Sequence, residues 1–172
     1  MGPRIRKPWV KFVNSADKDT TMATANAATA ITMAGLTCGA MDITAALLVY
    51  GSMGLPPLRL LQGIAGGVLG PKAFEGGAST ALLGLLLHFV IAFGAATVYF
   101  TASQALPILV QQAALCGALY GIAVYFFMNR IVVPLSHATK YPFSMKMMVI
   151  GVVIHIFCVG LSIALNIRRF AQ

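Results

Sequence analysis

The chain has 172 residues, 59% hydrophobic and 9% charged, where soluble domains carry roughly 45–50% and 25%. Polar groups are too few to coat a water-facing globule, and disorder, which needs low hydrophobicity and high charge, is excluded too. Twelve Lys and Arg against four Asp and Glu give +8 with His neutral. These cations bracket apolar runs instead of forming a soluble basic face, so they point to lipid headgroups and away from nucleic acid.

In chain order, residues 1–29 read as a basic cytoplasmic arm holding Arg4, Arg6, Lys7, Lys11 and Lys18. Trp9 and Phe12 suit the membrane interface, and Thr20–Thr29 reads as a linker or a frayed helical extension. Residues 30–172 form the transmembrane domain. A bilayer core of roughly 30 Å takes about 20 apolar residues in helix, and four runs qualify: residues 30–53, 79–102, 108–133 and 146–167. The first begins too deep in the chain and runs too long for a cleaved signal segment. Pro56-Pro57, Pro107, Pro134 and Pro142 lie outside the span boundaries, where helix breaking places them.

Between the first two spans lies LRLLQGIAGGVLG, residues 58–70. It is apolar but too short to cross, and its glycines weaken a helix. The segment therefore reads as Gly-rich and interfacial or re-entrant. Its glycines lack the order of a phosphate-binding loop. The fold class that follows is all-α, an integral membrane bundle of four transmembrane helices plus this segment.

Four spans place both tails on one side. That side holds Arg4, Arg6, Lys7, Lys11, Lys18, Arg168 and Arg169, against Arg59, Lys72, Arg130, Lys140 and Lys146 opposite. The excess, led by the N-terminal cluster, predicts cytoplasmic termini. Arg130, Arg168 and Arg169 sit at span ends, where long cations anchor at the interface.

Ionisable groups inside a bilayer cost several kcal/mol and face protein or water. Asp42, His88 and His155 lie at similar distances from the non-cytoplasmic ends of their spans, so one layer can hold all three. The plainest reading is a hydrogen-bonded cluster that holds the bundle together. Proton or small-ion handling is a second, because carboxylate proximity and burial pull an imidazole's titration in opposite directions. Haem ligation, or a metal on two His and a carboxylate, is a third. Small residues at helical steps, Gly35 and Gly39, Gly84, Gly117 and Gly121, and Gly151, predict close helix packing beside these polar groups. Cys38, Cys116 and Cys158 are isolated within apolar runs, so no disulfide framework, zinc site or structural metal is predicted. No nucleophile–base pair is visible, so no enzyme and no cofactor are predicted.

His88 opening an apolar helix, Tyr99 near its end, Pro107 in the turn, and the helix with Gly117 and Tyr125 closing in Pro134-Leu135 form a pattern. In it the chain resembles an uncharacterised group of bacterial inner-membrane proteins and, more loosely, YagU-type proteins. His155 followed by Arg168-Arg169 fits the same pattern, and LLQGIAGGVLGPKAFEGG, residues 60–77, is similar to the bacterial group alone. The likeness covers about residues 35–169. YagU-type proteins carry a longer region between their first spans. The resemblance implies a multi-pass protein of the bacterial inner membrane and supplies no reaction or ligand. The sequence therefore predicts an inner-membrane protein that moves or senses protons or small ions at the Asp42/His88/His155 layer. The alternatives are a non-catalytic structural or accessory subunit of a larger membrane complex, or a small haem protein. Its predicted partners are the lipid bilayer and a second copy or a larger complex.

Overall fold

The computed structural model describes residues 8–140 and 142–170, with side chains described from residue 26 onward. Among the described residues the regular structure is all helical. Helix α1 runs Pro8–Ser52, α2 Pro57–Leu69, α3 Gly77–Ala105, α4 Ala113–Leu135 and α5 Met145–Phe170. Asn26–Ser52 of α1 and all of α3, α4 and α5 are long and apolar enough to cross a membrane. The chain is thus a multi-pass membrane bundle. Its four crossings put Asn26 and Phe170 on one side and α2, with the α4–α5 loop, on the other.

The predicted spans reappear with shifted ends. Helix α1 is continuous from Pro8, so Thr20–Thr29 is helix and not linker. That stretch has no Gly or Pro to interrupt it and is rich in alanine, the best helix former. Arg4, Arg6 and Lys7 of the predicted arm lie outside the described residues, as do the side chains of Trp9, Lys11, Phe12 and Lys18.

The predicted 108–133 span is divided. A one-turn helix, Ile108–Gln111, precedes a break at Gln112, and α4 starts at Ala113. At its far end α4 runs through Pro134 to Leu135 after a π-helical turn, Met128–Val132. Proline lacks an N–H and crowds the carbonyl four residues back, that of Arg130. A wider turn gives that carbonyl room, so the helix closes just after the proline instead of before it. Helix α5 is capped by Ser144, whose hydroxyl accepts from the Met147 N–H at 3.5 Å. It contains a second π-helical stretch, His155–Leu161.

Helix α1 packs along α3 and α5, and α5 along α4, whereas α3 and α4 meet only sparingly. The half of the bundle nearest the termini is a dry core that includes Ala34, Cys38, Ala96, Tyr99, Ile163 and Ile167. There the Tyr99 hydroxyl donates to the Leu109 carbonyl at 2.9 Å and its ring meets Tyr120 edge-on. Small residues let main chains touch at the α4–α5 seam: a methyl on Gly117 would stand 2.9 Å from the Gly160 carbonyl oxygen. Such approach maximises dispersion contact where lipid supplies no hydrophobic drive.

The Gly-rich segment is a packed helix. Helix α2 lies on α3, with Gly84 against the Leu61 carbonyl and the Ala65 main chain. Buried Gln62 fastens the hairpin, its Nε2 donating to the Gly77 carbonyl at 3.0 Å. Gly70, at φ 62°, adopts the left-handed conformation that ends α2. The His137 N–H then donates to the Gly67 carbonyl at 3.0 Å, pinning the α4–α5 loop onto α2. Tertiary contact thus holds a helix that propensity alone disfavours.

Candidate functional site: an intramembrane chamber

The half of the bundle nearest α2 is hollow. A cavity of about 630 Å³ runs from Cys38 and Val159 at mid-bundle to Tyr50, Leu55 and Arg59 beside the loops. Every spanning helix contributes to its wall, and so does α2 through Leu60, Gly63, Ile64 and Gly67. Asp42, His88 and His155 all line it. The three residues singled out in the sequence therefore face one shared space.

The three side chains share that space without bonding to one another. His88 reaches from α3 to α1, where Nε2 lies 2.9 Å from the Gly39 carbonyl oxygen. Gly39 allows this because Phe89 occupies the space a side chain there would need. His155 Nδ1 lies 2.9 Å from the Gly151 carbonyl of its own helix, and its ring is held edge-on by Tyr125 at 5.3 Å. A carbonyl only accepts, so each of these ring nitrogens carries a hydrogen, and in the neutral ring the other nitrogen is an acceptor. Asp42 Oδ1 is buried with no hydrogen-bond partner among the described residues. The tie expected of a purely structural cluster, carboxylate to imidazole, is missing among the described residues, and of these three side chains it is His88 that bonds to another helix, at Gly39.

Polar groups near the three are committed elsewhere. Asn129 Nδ2 donates to the Tyr125 carbonyl at 2.9 Å, and the Ser136 hydroxyl to Val133 at 2.9 Å. Arg59, at the loop-side mouth, donates to the Phe74 carbonyl at 3.3 Å and lies over the Phe74 ring at 5.6 Å. The result is a chamber rich in acceptors, with a guanidinium at its loop-side end. Among the described residues no three His, Cys, Asp or Glu side chains stand close enough to share one metal ion.

All six glycines expected at packing positions face neighbours. Gly35 and Gly39 lie under Phe93 and Phe89, Gly84 under α2, Gly117 and Gly121 against α5, and Gly151 under Tyr125. Arg130, Arg168 and Arg169 are exposed at helix ends, Arg169 over the Phe170 ring at 5.4 Å. Sequence reasoning missed Arg59 and Asn129 as chamber residues and Gly160 as the partner of Gly117. Gly160 sits one residue out of the expected helical step, and Arg59 reaches the mouth only because α2 folds back on the bundle. Compared with known family models, curated proteins and solved structures, the chain matches none.

Proposed function

We propose that this is an inner-membrane protein, with both termini cytoplasmic, that takes up and passes a proton or small cation at Asp42. The observation that carries the reading is the Asp42 carboxyl oxygen, buried and unpartnered, in a chamber it shares with two imidazoles. An unpaired buried polar atom costs about 1–3 kcal/mol, more when charged. A group kept at that cost inside hydrocarbon, in a space shared with two imidazoles, suits a positive species. The cytoplasmic assignment rests on the Lys and Arg excess of the terminal side, and the inner membrane on the resemblance to the bacterial group.

Liposomes containing the purified protein test this. The wild type conducts protons or monovalent cations, Asp42→Asn loses that flux, and His88→Ala reduces it. Absent wild-type flux, or flux undiminished in Asp42→Asn, overturns the reading. Since Asn removes a buried carboxyl, Asp42→Asn also unfolds at a higher temperature than the wild type. Native mass spectrometry of the same preparation reports any second copy or stoichiometric partner.

A further inference from the structure

A second cavity opens on the side of the bundle where α3 and α4 stand apart. It has a volume of about 440 Å³ and a wall of apolar residues, among them Val98, Tyr120, Ala123 and Phe127. Ile91, Ala95, Val124, Met128 and Val132 line both this cleft and the chamber. The two voids therefore adjoin across a shared wall, one lined by apolar residues between α3 and α4, the other holding Asp42, His88 and His155.

Gly94 lies on the cleft wall, and a methyl there would meet nothing within 4 Å. A glycine in mid-helix costs about 1 kcal/mol against alanine, and here no close packing offsets it. What its missing side chain supplies is volume. The chamber itself is far larger than a bare ion needs and falls in the roughly 300–1,000 Å³ range of small organic ligands. Its acceptors do not close on a single metal ion. Among the described residues that line it, the buried side-chain atom left without a hydrogen-bond partner is Asp42 Oδ1, an acceptor. Arg59 holds positive charge at the loop-side mouth, which disfavours a cation arriving from that end.

We propose that the chamber and the α3–α4 cleft form one binding site for an amphiphilic primary amine, its ammonium on Asp42 and its apolar body in the cleft. This rests on the reading of Asp42 as the charge-bearing group and replaces a bare ion by an organic one. An ammonium carries three N–H donors and no acceptor, which suits the unpartnered Asp42 carboxyl oxygen. The apolar body matches the apolar wall of the cleft between α3 and α4, and such a molecule reaches it by sliding in from the membrane.

The test is equilibrium binding of radiolabelled dodecylamine to the full chain in phosphatidylcholine nanodiscs, corrected with empty discs. Wild type binds it saturably at one site per chain. Asp42→Asn weakens binding by at least about tenfold, the loss of one charge-assisted contact. Gly94→Phe and Ala123→Phe fill the cleft from opposite walls and weaken it severalfold. Both remain monodisperse, since they add volume to open space. Dodecanoate, with the same chain and opposite charge, does not compete. Merely unsaturable partition, equal binding in Asp42→Asn, competition by dodecanoate, or full affinity in both cleft variants overturns the proposal. Flux is scored separately: Asp42-dependent amine binding without proton or cation flux keeps the site and removes small-ion transport, and flux without amine binding does the reverse.

Discussion

The two halves of this bundle are made from the same residues and packed in opposite ways. Near the termini, Ala, Gly and Tyr close the helices into a dry core in which the Tyr99 hydroxyl is bonded. Near α2, the same helices diverge around about 630 Å³ of space with an unpartnered carboxyl oxygen in its wall. The contrast is sharpest among the glycines. Gly117, Gly121 and Gly160 bring main chains into contact, whereas Gly63 and Gly94 face open space. One half uses missing side chains to bring helices together and the other uses them to leave room.

Substitution can break that contrast. The largest effect belongs to the seam: Gly160→Val drives a side chain into the Gly117 carbonyl and the Gly121 main chain. Overpacking of this kind costs about 3 kcal/mol, and thermal unfolding in detergent reads it as loss of the folded protein. Next comes Gly84→Ala, which pushes α2 off α3; a cost of about 2 kcal/mol and faster proteolysis between residues 54 and 76 are expected. Tyr120→Phe removes the hydroxyl's 2.8 Å bond to the Ala95 carbonyl, the main polar tie between α3 and α4. A loss of about 1 kcal/mol follows, again read from the unfolding midpoint. Smallest, and opposite in sign, is Gly94→Ala, which gains up to about 1 kcal/mol because alanine is the better helix former and its methyl meets nothing. If Gly94→Ala destabilised as Gly84→Ala does, the hollow half would be as tightly packed as the rest.

Span number and helical class were legible because hydrocarbon imposes length and polarity rules on any crossing helix. Packing of α4 was legible for a related reason. Ala113, Gly117, Gly121 and Tyr125 step by four through regular α-helix and all precede its π-helical turn. On α5 the same counting fails. Gly151, His155 and Ser162 form a stripe in the sequence, yet Gly160 and Ala164 are what face Gly117, while buried Ser162 lies toward Cys38 of α1. The π-helical stretch takes up one residue that the 3.6-residue period does not foresee. The hollow itself was not legible, because space between helices depends on how they splay and not on what any one of them contains.

Those wide turns have an engineering consequence. Each stores a single residue that α-helical winding does not need, so excising one residue from Met128–Val132 restores regular pitch and leaves the flanking turns facing as before. Excising one from the regular turns at 122–127 instead swings everything beyond it by about 100°. The Ser136–His137 corner then leaves Gly67, and α2 loses its clasp. A one-residue deletion in those regular turns would reach the floor of the hollow half, while the seam below Gly121 kept its register.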